Sequence, residues 1–256
     1  MHERLPLVLL HGFTGCADVW EDVKSALAES QLCIAIDLPG HGHRAEDADS
    51  GAFTFDGACQ LIATELHRIG IQRTNLWGYS MGGRIALHYA MNYPAGVGRL
   101  ILESASPGLT NSVEREARQR SDDELAARIK SEGLDSFVGR WMDQPLFASQ
   151  KSLPLEHQAL GRRLRLQNTA DGLARALRGF SVGRQEPLHN RLRQLTMPVL
   201  VLVGELDSKY REIGEAMAHS IPNAQFRIIG GAGHAPYWEC PAETAAAVAE
   251  FISRDK

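Results

Sequence analysis

The sequence predicts an α/β fold in which a mostly parallel sheet carries helices on both faces and one long helical segment is inserted between two strands. First, short and almost continuously apolar runs alternate with stretches of helical spacing, which is typical of strands that are buried on both faces. Second, residues 107–190 break this alternation. Third, a length of 256 residues suits one domain with a sizeable core.

Apolar runs with turn residues or helical spacing after them define the predicted elements in chain order. The predicted strands are residues 5–10, 32–37, 75–78, 99–103, 199–204 and 226–229. The predicted helices of the sheet region are residues 19–29, 53–69, 81–91, 212–220 and 242–253. Because ligands bind at the carboxyl ends of the strands in such sheets, we expect the functional residues directly after the strands.

The inserted segment, residues 107–190, contains amphipathic helical stretches rich in Arg and Glu and no convincing strand. It is too long for a plain loop, so we predict a helical cap that lies over the strand ends. The predicted core then consists of residues 1–106 and 191–256. The cap is the more basic part of the chain, with 13 basic and 11 acidic residues.

Composition excludes several classes of protein. Apolar residues make up 44% and charged residues 23%, which is globular and not disordered composition. With 27 basic and 31 acidic residues, no nucleic-acid partner is expected. The apolar run at residues 5–10 is too short for a membrane helix or a signal peptide, so we expect a cytoplasmic protein with no membrane partner. The cysteines lack metal-ligand spacing and are predicted to be free thiols: Cys16, Cys33, Cys59 and Cys240.

A G-x-S-x-G motif centred on Ser80 follows one predicted strand and opens the next helix. This is the setting of a nucleophile elbow, a sharp turn that lifts a serine hydroxyl above the edge of the sheet. Glycine is needed beside the serine because neighbouring side chains would collide with its strained backbone. The alternative interpretation is a tight strand-to-helix turn without a catalytic role.

A catalytic serine needs a histidine that accepts its proton and an acid that orients the histidine. Asp207 follows the predicted strand 199–204, and His234 follows the predicted strand 226–229. Both are therefore expected at the same edge of the sheet, in the chain order of such triads. The alternatives are Glu205 as the acid, a helix N-cap role for Asp207, and a mere loop position for His234.

Negative charge that develops in a reaction needs preorganised N–H donors. The N–H of Met81 lies at a predicted helix N-terminus, and the N–H of Phe13 lies in the loop after the first strand. Gly12 and Gly15 allow that loop to approach a ligand closely. Three further histidines after strands are interpreted as residues that hydrogen-bond or pack in turns: His11, His41 and His43.

Arginine outnumbers lysine by 22 to 5. A GC-rich genome explains such a bias without any function. A site for carboxylates also explains it, because a guanidinium binds a carboxylate through two parallel hydrogen bonds and an ammonium does not.

The motifs HGFTG, DLPGHGHR, GYSMGG, GELD and GAGH resemble those of the α/β-hydrolase superfamily over nearly the full chain. The resemblance implies the α/β-hydrolase fold with an inserted helical cap. The antiparallel hairpin that usually begins this fold is missing from the pattern, so we expect a sheet of only six or seven strands.

A narrower set of motifs is similar to the 2-succinyl-6-hydroxy-2,4-cyclohexadiene-1-carboxylate synthases of menaquinone (vitamin K2) biosynthesis. These motifs are GGRIAL, SPGL, EREAR, WMDQPLFAS, LRLQN, GLARALRG and ELDSKY. The resemblance implies a lyase that eliminates pyruvate from 2-succinyl-5-enolpyruvyl-6-hydroxy-3-cyclohexene-1-carboxylate without a metal or organic cofactor. Ser80, activated by His234 and Asp207, would remove a ring proton. The N–H groups of Phe13 and Met81 would hold the charge that builds on the conjugated carbonyl.

The implied substrate carries three carboxylates, so several cations are expected around it. Arg84 lies one helical turn beyond Ser80 and can therefore lie beside the elbow. Arg115, Arg165 and Lys209 match positions of the family, and Tyr79 and Trp141 would supply apolar walls of the site. Arg118 is the alternative to Arg115, because the register of the motif is loose there. For each cation the competing interpretation is a solvated charge on a helix face.

Two other functions are compatible with the sequence. A serine hydrolase (carboxylesterase, thioesterase or C–C bond hydrolase) of a small carboxylated substrate would use the same triad to form an acyl enzyme or to activate water. An apolar cap would favour ester hydrolysis, whereas this cap is rich in arginine. The other candidate is a non-catalytic binding protein. We expect a monomer or weak homo-oligomer whose partner is a small-molecule tricarboxylate.

Overall fold

The computed structural model describes residues 4–47 and 49–254, so the two ends of the predicted core, residues 1–3 and 255–256, lie outside it. The strands are β1 (Leu7–Leu10), β2 (Cys33–Ile36), β3 (Thr74–Tyr79), β4 (Val97–Glu103), β5 (Val199–Gly204) and β6 (Ala224–Ile229). The α-helices are α1 (Glu21–Leu27), α2 (Phe55–Arg68), α3 (Met81–Asn92), α4 (Ser112–Glu132), α5 (Leu134–Met142), α6 (Leu155–Arg165), α7 (Ala170–Gly179), α8 (Ser208–Ser220), α9 (Pro236–Glu239) and α10 (Pro241–Ser253). Short 3-10 helices are Ala17–Trp20, Gly42–Arg44, Gly51–Phe53, Pro94–Gly96, Pro145–Ser152 and His189–Gln194.

The six strands form one sheet in the order β2-β1-β3-β4-β5-β6, and all neighbouring pairs are parallel. The α/β fold and the strand count predicted from the sequence are therefore confirmed for the described residues. The strand ends differ from the prediction by at most two residues; β1, for instance, begins at Leu7 and not at residue 5.

Two predicted helices differ from the structure for local reasons. The stretch predicted as one helix at residues 19–29 is a 3-10 turn followed by the short α1. Helix α8 begins at Ser208, four residues earlier than expected, because the Asp207 side chain accepts the N–H of Tyr210 and caps the first turn.

The sheet is buried on both faces. Leu7 and Leu9 of β1 belong to an apolar cluster that includes residues of α1 and α10. Val8 and Leu10 belong to the opposite cluster, which includes residues of α2 and α3. Because successive strand residues point to opposite faces, double coverage requires the continuous apolar runs seen in the sequence.

Between β4 and β5 the described chain forms helices α4 to α7 and no strand. Three of these helices share an apolar cluster of their own, with members such as Ile129 of α4, Phe137 of α5 and Leu177 of α7. The domain boundaries after residues 106 and 190 stay a prediction. None of the helices in the described part of the chain is both long and apolar enough to cross a membrane.

Buried Asn168 joins the cap to the loops at the carboxyl ends of the strands. Its side-chain amide donates to the carbonyls of Thr14 and Arg165, both at 2.9 Å. Its side-chain oxygen accepts the N–H of Gly42, also at 2.9 Å. Thr14 follows β1 and Gly42 follows β2, whereas Arg165 ends α6. These three hydrogen bonds tie the cap to the strand ends.

Candidate active site

Ser80 lies at the turn between β3 and α3 with φ 50° and ψ −108°, which is unusual for a residue with a side chain. Its N–H donates to the carbonyl of Glu103 at 2.8 Å. The flanking glycines are required by space. A Cβ on Gly78 would lie 2.4 Å from the carbonyl oxygen of Gly82, and one on Gly82 would lie 2.3 Å from that of Leu10. The motif therefore forms an elbow that exposes the serine above the sheet edge.

Ser80, His234 and Asp207 form a hydrogen-bonded chain. His234 Nε2 lies 3.1 Å from Ser80 Oγ, and His234 Nδ1 lies 2.6 Å from Asp207 Oδ2. His234 is 2% exposed and Asp207 is 8% exposed. Because the Nδ1–H group donates a hydrogen bond to the carboxylate, Nε2 of the imidazole is free to accept the proton of the Ser80 hydroxyl. The structure thus brings together the three residues singled out by the sequence.

Asp207, and not the alternative Glu205, contacts the histidine. Glu205 Oε2 instead accepts the N–H of Gly231 at 2.9 Å. The second oxygen of Asp207 accepts the N–H of Tyr210 at 3.2 Å. Asp207 therefore orients His234 and caps α8 at the same time, and the cap fixes the rotation of its carboxylate.

Glu239, which the sequence analysis missed, holds the backbone on both sides of His234. Its carboxylate accepts the N–H of Gly233 at 2.6 Å and the N–H of Ala235 at 3.0 Å. Since these two residues flank the histidine, the carboxylate fixes the loop from which the imidazole projects. An acid five residues after a loop histidine is a signal that the sequence offers.

Glu103 holds the same loop from the sheet side. This fully buried carboxyl group accepts the N–H of Tyr237 and the indole N–H of Trp77, both at 2.8 Å. Burial raises the pKa of Glu103 to about 8, although both hydrogen bonds act in the opposite direction. The loop therefore rests on a group that titrates near neutral pH.

The loop after β1 packs directly against the elbow. A Cβ on Gly12 would lie 2.6 Å from the ring of Tyr79 and 3.5 Å from Ser80 Cβ, so only glycine permits this approach. The N–H of Met81 is the first in α3 and has no intrahelical acceptor. Among the described residues, neither this N–H nor that of Phe13 has a hydrogen-bond partner. Both can therefore donate to a ligand oxygen.

The other strand-end histidines have structural partners, in agreement with their interpretation from the sequence. His11 Nε2 accepts the N–H of Leu38 at 3.0 Å, and His41 Nε2 accepts the N–H of Thr14 at 3.2 Å. Burial lowers the pKa of His11 and lowers the pKa of His41 to about 3, so both rings are neutral. His43 is exposed and bonded to Asp37, away from the serine.

Aromatic rings surround the imidazole. Tyr79 is buried with its ring centre 5.5 Å from that of His234, and Trp141 of the cap lies 5.1 Å from Phe13. The structure adds two rings that the sequence did not single out: Tyr210, 4.5 Å from the imidazole, and Phe147, 6.1 Å from it. Both lie within the motifs of the family resemblance, ELDSKY and WMDQPLFAS, and these motifs are the signal that could have found them.

Arg84 is buried beside the site. Its Nη1 donates to the carbonyl of Phe180 at 2.7 Å, and burial lowers the pKa of this arginine to about 10. The charged or titratable groups that interact with it electrostatically are Tyr210, Arg118, Asp122 and His88. One of these, Tyr210, has its ring centre 4.5 Å from that of His234 and so links Arg84 to the triad.

Arg118 and Arg115 have different surroundings. Arg118 Nε donates to both carboxylate oxygens of buried Asp122 at 2.9 Å and lies near Arg84 and Tyr210. Arg115 Nε points to the carbonyl of Gly183 at 3.4 Å. Of the two, Arg118 is therefore the one whose charge interacts with Arg84 and Tyr210.

The remaining predicted cations differ in burial. Arg165 Nη1 donates to the carbonyl of Gly161 at 2.8 Å, whereas its buried Nε has no partner among the described residues. Burial lowers the pKa of Arg165, and Tyr79 and Tyr237 lie near its charge. Lys209 is exposed, with its ammonium 5.9 Å from the centre of the Tyr210 ring.

A cavity of about 20 Å³ lies between the loop after β1 and the cap. The residues that line it include Phe13, Tyr79, Gln150 and Arg165. It has room for about one water molecule, so a larger ligand requires movement of the cap. A larger cavity, about 870 Å³, lies at the opposite end of the sheet and is lined in part by Asn75.

Across residues 4–47 and 49–254, no group of three or more His, Cys, Asp or Glu side chains could hold a metal ion.

A serine elbow with its histidine and acid at the carboxyl ends of a parallel sheet is the arrangement of α/β hydrolases. Residues 6–241 match the family described as the alpha/beta hydrolase fold. The chain belongs to this family and, within it, to the family of the 2-succinyl-6-hydroxy-2,4-cyclohexadiene-1-carboxylate synthases, because relatives of that name match nearly all of it.

Two such relatives illustrate the match. The chain is 36% identical to the putative synthase of Bacillus subtilis (strain 168), over 96% of this chain and 90% of that protein. It is 37% identical to the synthase of Enterobacter sp. (strain 638), over 96% of this chain and 91% of that protein.

Two solved structures show the same fold. MenH from S. aureus superposes with a TM-score of 0.93 at 34% identity, covering 98% of this chain and 94% of that one. A thermophilic esterase from Thermogutta terrifontis, with malate bound, has a TM-score of 0.85 at 29% identity, covering 97% and 89%. A shared fold thus does not decide the reaction.

Proposed function

We propose that the protein is a lyase that eliminates pyruvate from 2-succinyl-5-enolpyruvyl-6-hydroxy-3-cyclohexene-1-carboxylate to give 2-succinyl-6-hydroxy-2,4-cyclohexadiene-1-carboxylate. One observation carries the proposal: a serine hydrogen-bonded to histidine lies in the same region as several guanidinium groups from the body and the cap. Kinship with synthases of this name supports it.

The proposed reaction begins with proton transfer from the Ser80 hydroxyl to His234, whose imidazolium is stabilised by Asp207. Ser80 Oγ removes a ring proton of the substrate. The electron pair moves through the ring, and the bond between the ring carbon and the enolpyruvyl oxygen breaks. The enolpyruvate that leaves takes the proton from the His234 imidazolium and becomes pyruvate, which returns Ser80 and His234 to their starting states. The N–H groups of Phe13 and Met81 stabilise the charge on the conjugated carbonyl oxygen. The reaction uses no metal or organic cofactor.

In this proposal the substrate is a small-molecule tricarboxylate, bound by guanidinium groups. Arg84 and Arg165 each bind a carboxylate, and Arg118 has a better position than Arg115 for the third. Tyr79 and Trp141 form walls of the site, and Lys209 contributes positive charge at its rim. Residues 1–106 and 191–256 carry the triad, and the cap, residues 107–190, carries Trp141 and the remaining arginines.

The proposal places the reaction in the cytoplasm, with no nucleic-acid or membrane partner, in a monomer or weak homo-oligomer. All four cysteines are free thiols, as expected in a reducing compartment.

Serine hydrolysis is the second candidate function. The observation that favours it is the close superposition with an esterase, which shows that this fold also supports ester cleavage. In that reaction Ser80 would attack a carbonyl carbon and form an acyl enzyme, which water would then hydrolyse.

A pyruvate-release assay with enzymatically generated intermediate separates the two. We expect pyruvate to be released at the same rate as the diene product forms. We also expect a chromogenic short-chain ester to be turned over only slowly. Rapid ester turnover with an initial burst, without pyruvate release, would contradict the lyase.

A further inference from the structure

Gln150 is a buried amide of the cap with no structural partner. It belongs to the 3-10 helix Pro145–Ser152 and is 8% exposed. Its Nε2 is buried and has no hydrogen-bond partner among the described residues. An unpaired buried donor destabilises a protein, so such a group calls for an explanation.

Arg165 lacks a counter-ion in the same region. Its buried Nε is unpaired, and no carboxylate of the described residues lies within ion-pair distance of it. The groups within its electrostatic reach are Tyr237, Tyr79 and Cys16, none of them acidic at neutral pH. Arg165 is half-buried as a residue, and a cation that is partly removed from water without an anion is unfavourable until a ligand supplies one.

Gln150 and Arg165 lie together between two cavities. The first, about 20 Å³, also touches Phe13 and Tyr79 beside the triad. The second, about 100 Å³, extends into the cap and also touches Lys151 and Asp143, which form an ion pair with each other at 3.0 Å. Residues that line both cavities are Phe147, Gln150, Arg165 and Trp238. The partition between the cavities therefore carries two unpaired donors.

A third unpaired donor lies next to this partition. The indole N–H of Trp141 is buried without a partner in the described part of the chain, and its ring lies 5.8 Å from that of Phe147. This cap wall, made of the two unpaired donors that line both cavities and a third packed against Phe147, fits a ligand that offers acceptors and negative charge, which is the chemistry of a carboxylate.

We propose that Gln150 is a specificity-determining residue whose amide donates to the substrate carboxylate that pairs with Arg165, with the arm that bears this carboxylate extending into the cavity of about 100 Å³. This inference rests on the proposed lyase function. A neutral amide adds a hydrogen bond without adding charge repulsion to Arg165. An uncharged ester in the same place offers oxygen acceptors but no negative charge, so Arg165 would stay without a counter-ion and the wall selects against the ester.

The test is the KM and kcat of pyruvate release by Gln150→Leu, which keeps most of the side-chain volume and removes the donor. We expect KM to rise roughly 10- to 100-fold, the effect of one hydrogen bond to a charged group, while kcat changes less than about three-fold. Gln150→Glu, which places a negative charge against the carboxylate, should raise KM further. Gln60→Leu on exposed α2 is the matched control and should leave both constants unchanged.

A double-mutant cycle shows whether both residues hold the same group. In an Arg165→Leu background, Gln150→Leu should raise KM much less than in the wild type, because the carboxylate has already lost its main partner. Full additivity of the two effects would contradict a shared carboxylate. If the thermal transition shows that Gln150→Leu does not fold, the nearly isosteric Gln150→Glu replaces it. The change in KM caused by Gln150→Glu is then compared between the wild type and the Arg165→Leu background.

Two failures are distinguishable. Pyruvate release by the wild type with an unchanged KM in the folded Gln150 variants would overturn this inference and leave the lyase function standing. Absence of pyruvate release by the wild type would overturn the lyase function and, with it, the inference.

Discussion

The loop that carries His234 and the cap wall that faces it satisfy their polar groups in opposite ways. In the loop, the imidazole and the backbone on both sides of it have partners within the protein. In the wall, Trp141, Gln150 and Arg165 each keep a buried donor without a partner among the described residues. The triad is therefore preorganised before any ligand binds, whereas the wall is completed only by a ligand that supplies acceptors.

This contrast predicts which kinetic constant each region controls. Changes in the preorganised region should lower kcat, because they disturb groups that act on the reacting bonds. Changes in the wall should raise KM, because they remove contacts to parts of the substrate that do not react.

The largest expected effect is that of Ser80→Ala. Without the hydroxyl, the proposed base is lost, and pyruvate release should fall at least about 100-fold. The measurement is kcat with enzymatically generated intermediate, with the thermal transition as the test of folding. Turnover like that of the wild type would contradict a triad mechanism.

Glu239→Ala tests whether the triad depends on its supporting loop. The variant leaves the N–H groups of Gly233 and Ala235 without their acceptor, so the imidazole loses its fixed position. We expect kcat to fall roughly 10- to 100-fold with little change in KM. Glu243→Gln, an exposed acid of α10, is the control. A rise in KM as large as the fall in kcat would mean that Glu239 also shapes the substrate site.

Arg118→Gln and Arg115→Gln sharpen the description of the cap. Arg118 lies near Arg84 and Tyr210, whereas Arg115 points to a backbone carbonyl. We expect KM to rise about ten-fold or more for the first variant and less than about two-fold for the second, with kcat nearly unchanged in both. The reverse order of effects would restore Arg115 as the carboxylate ligand.

The sequence predicts the body better than the cap, for a physical reason. Strands and triad follow from local signals: apolar runs, an elbow between glycines, and polar residues at strand ends. The choice between Arg115 and Arg118 has no such signal, because residues three apart share one face of a helix. Gln150 reaches the site only through the packing of separate elements, which no local pattern encodes, whereas Tyr210 follows Asp207 by three residues within the motif ELDSKY.

The smallest expected effect on catalysis concerns Glu103, the buried carboxyl group that supports the loop of His234, and this prediction is one about stability. Burial is the main cause that raises its pKa from 4.5 to about 8. The folded state therefore keeps a proton that the unfolded chain releases near pH 4.5. The stabilisation from this proton is complete below about pH 4.5 and is lost as the pH rises to about 8. Glu103→Gln removes this titration. Between pH 5 and 9, the Tm of the wild type should therefore fall by roughly 10 °C more than that of the variant. Parallel Tm curves would show that Glu103 titrates at the same pH in the folded and unfolded chains, and the loop would then rest on a carboxylate that stays charged throughout this range.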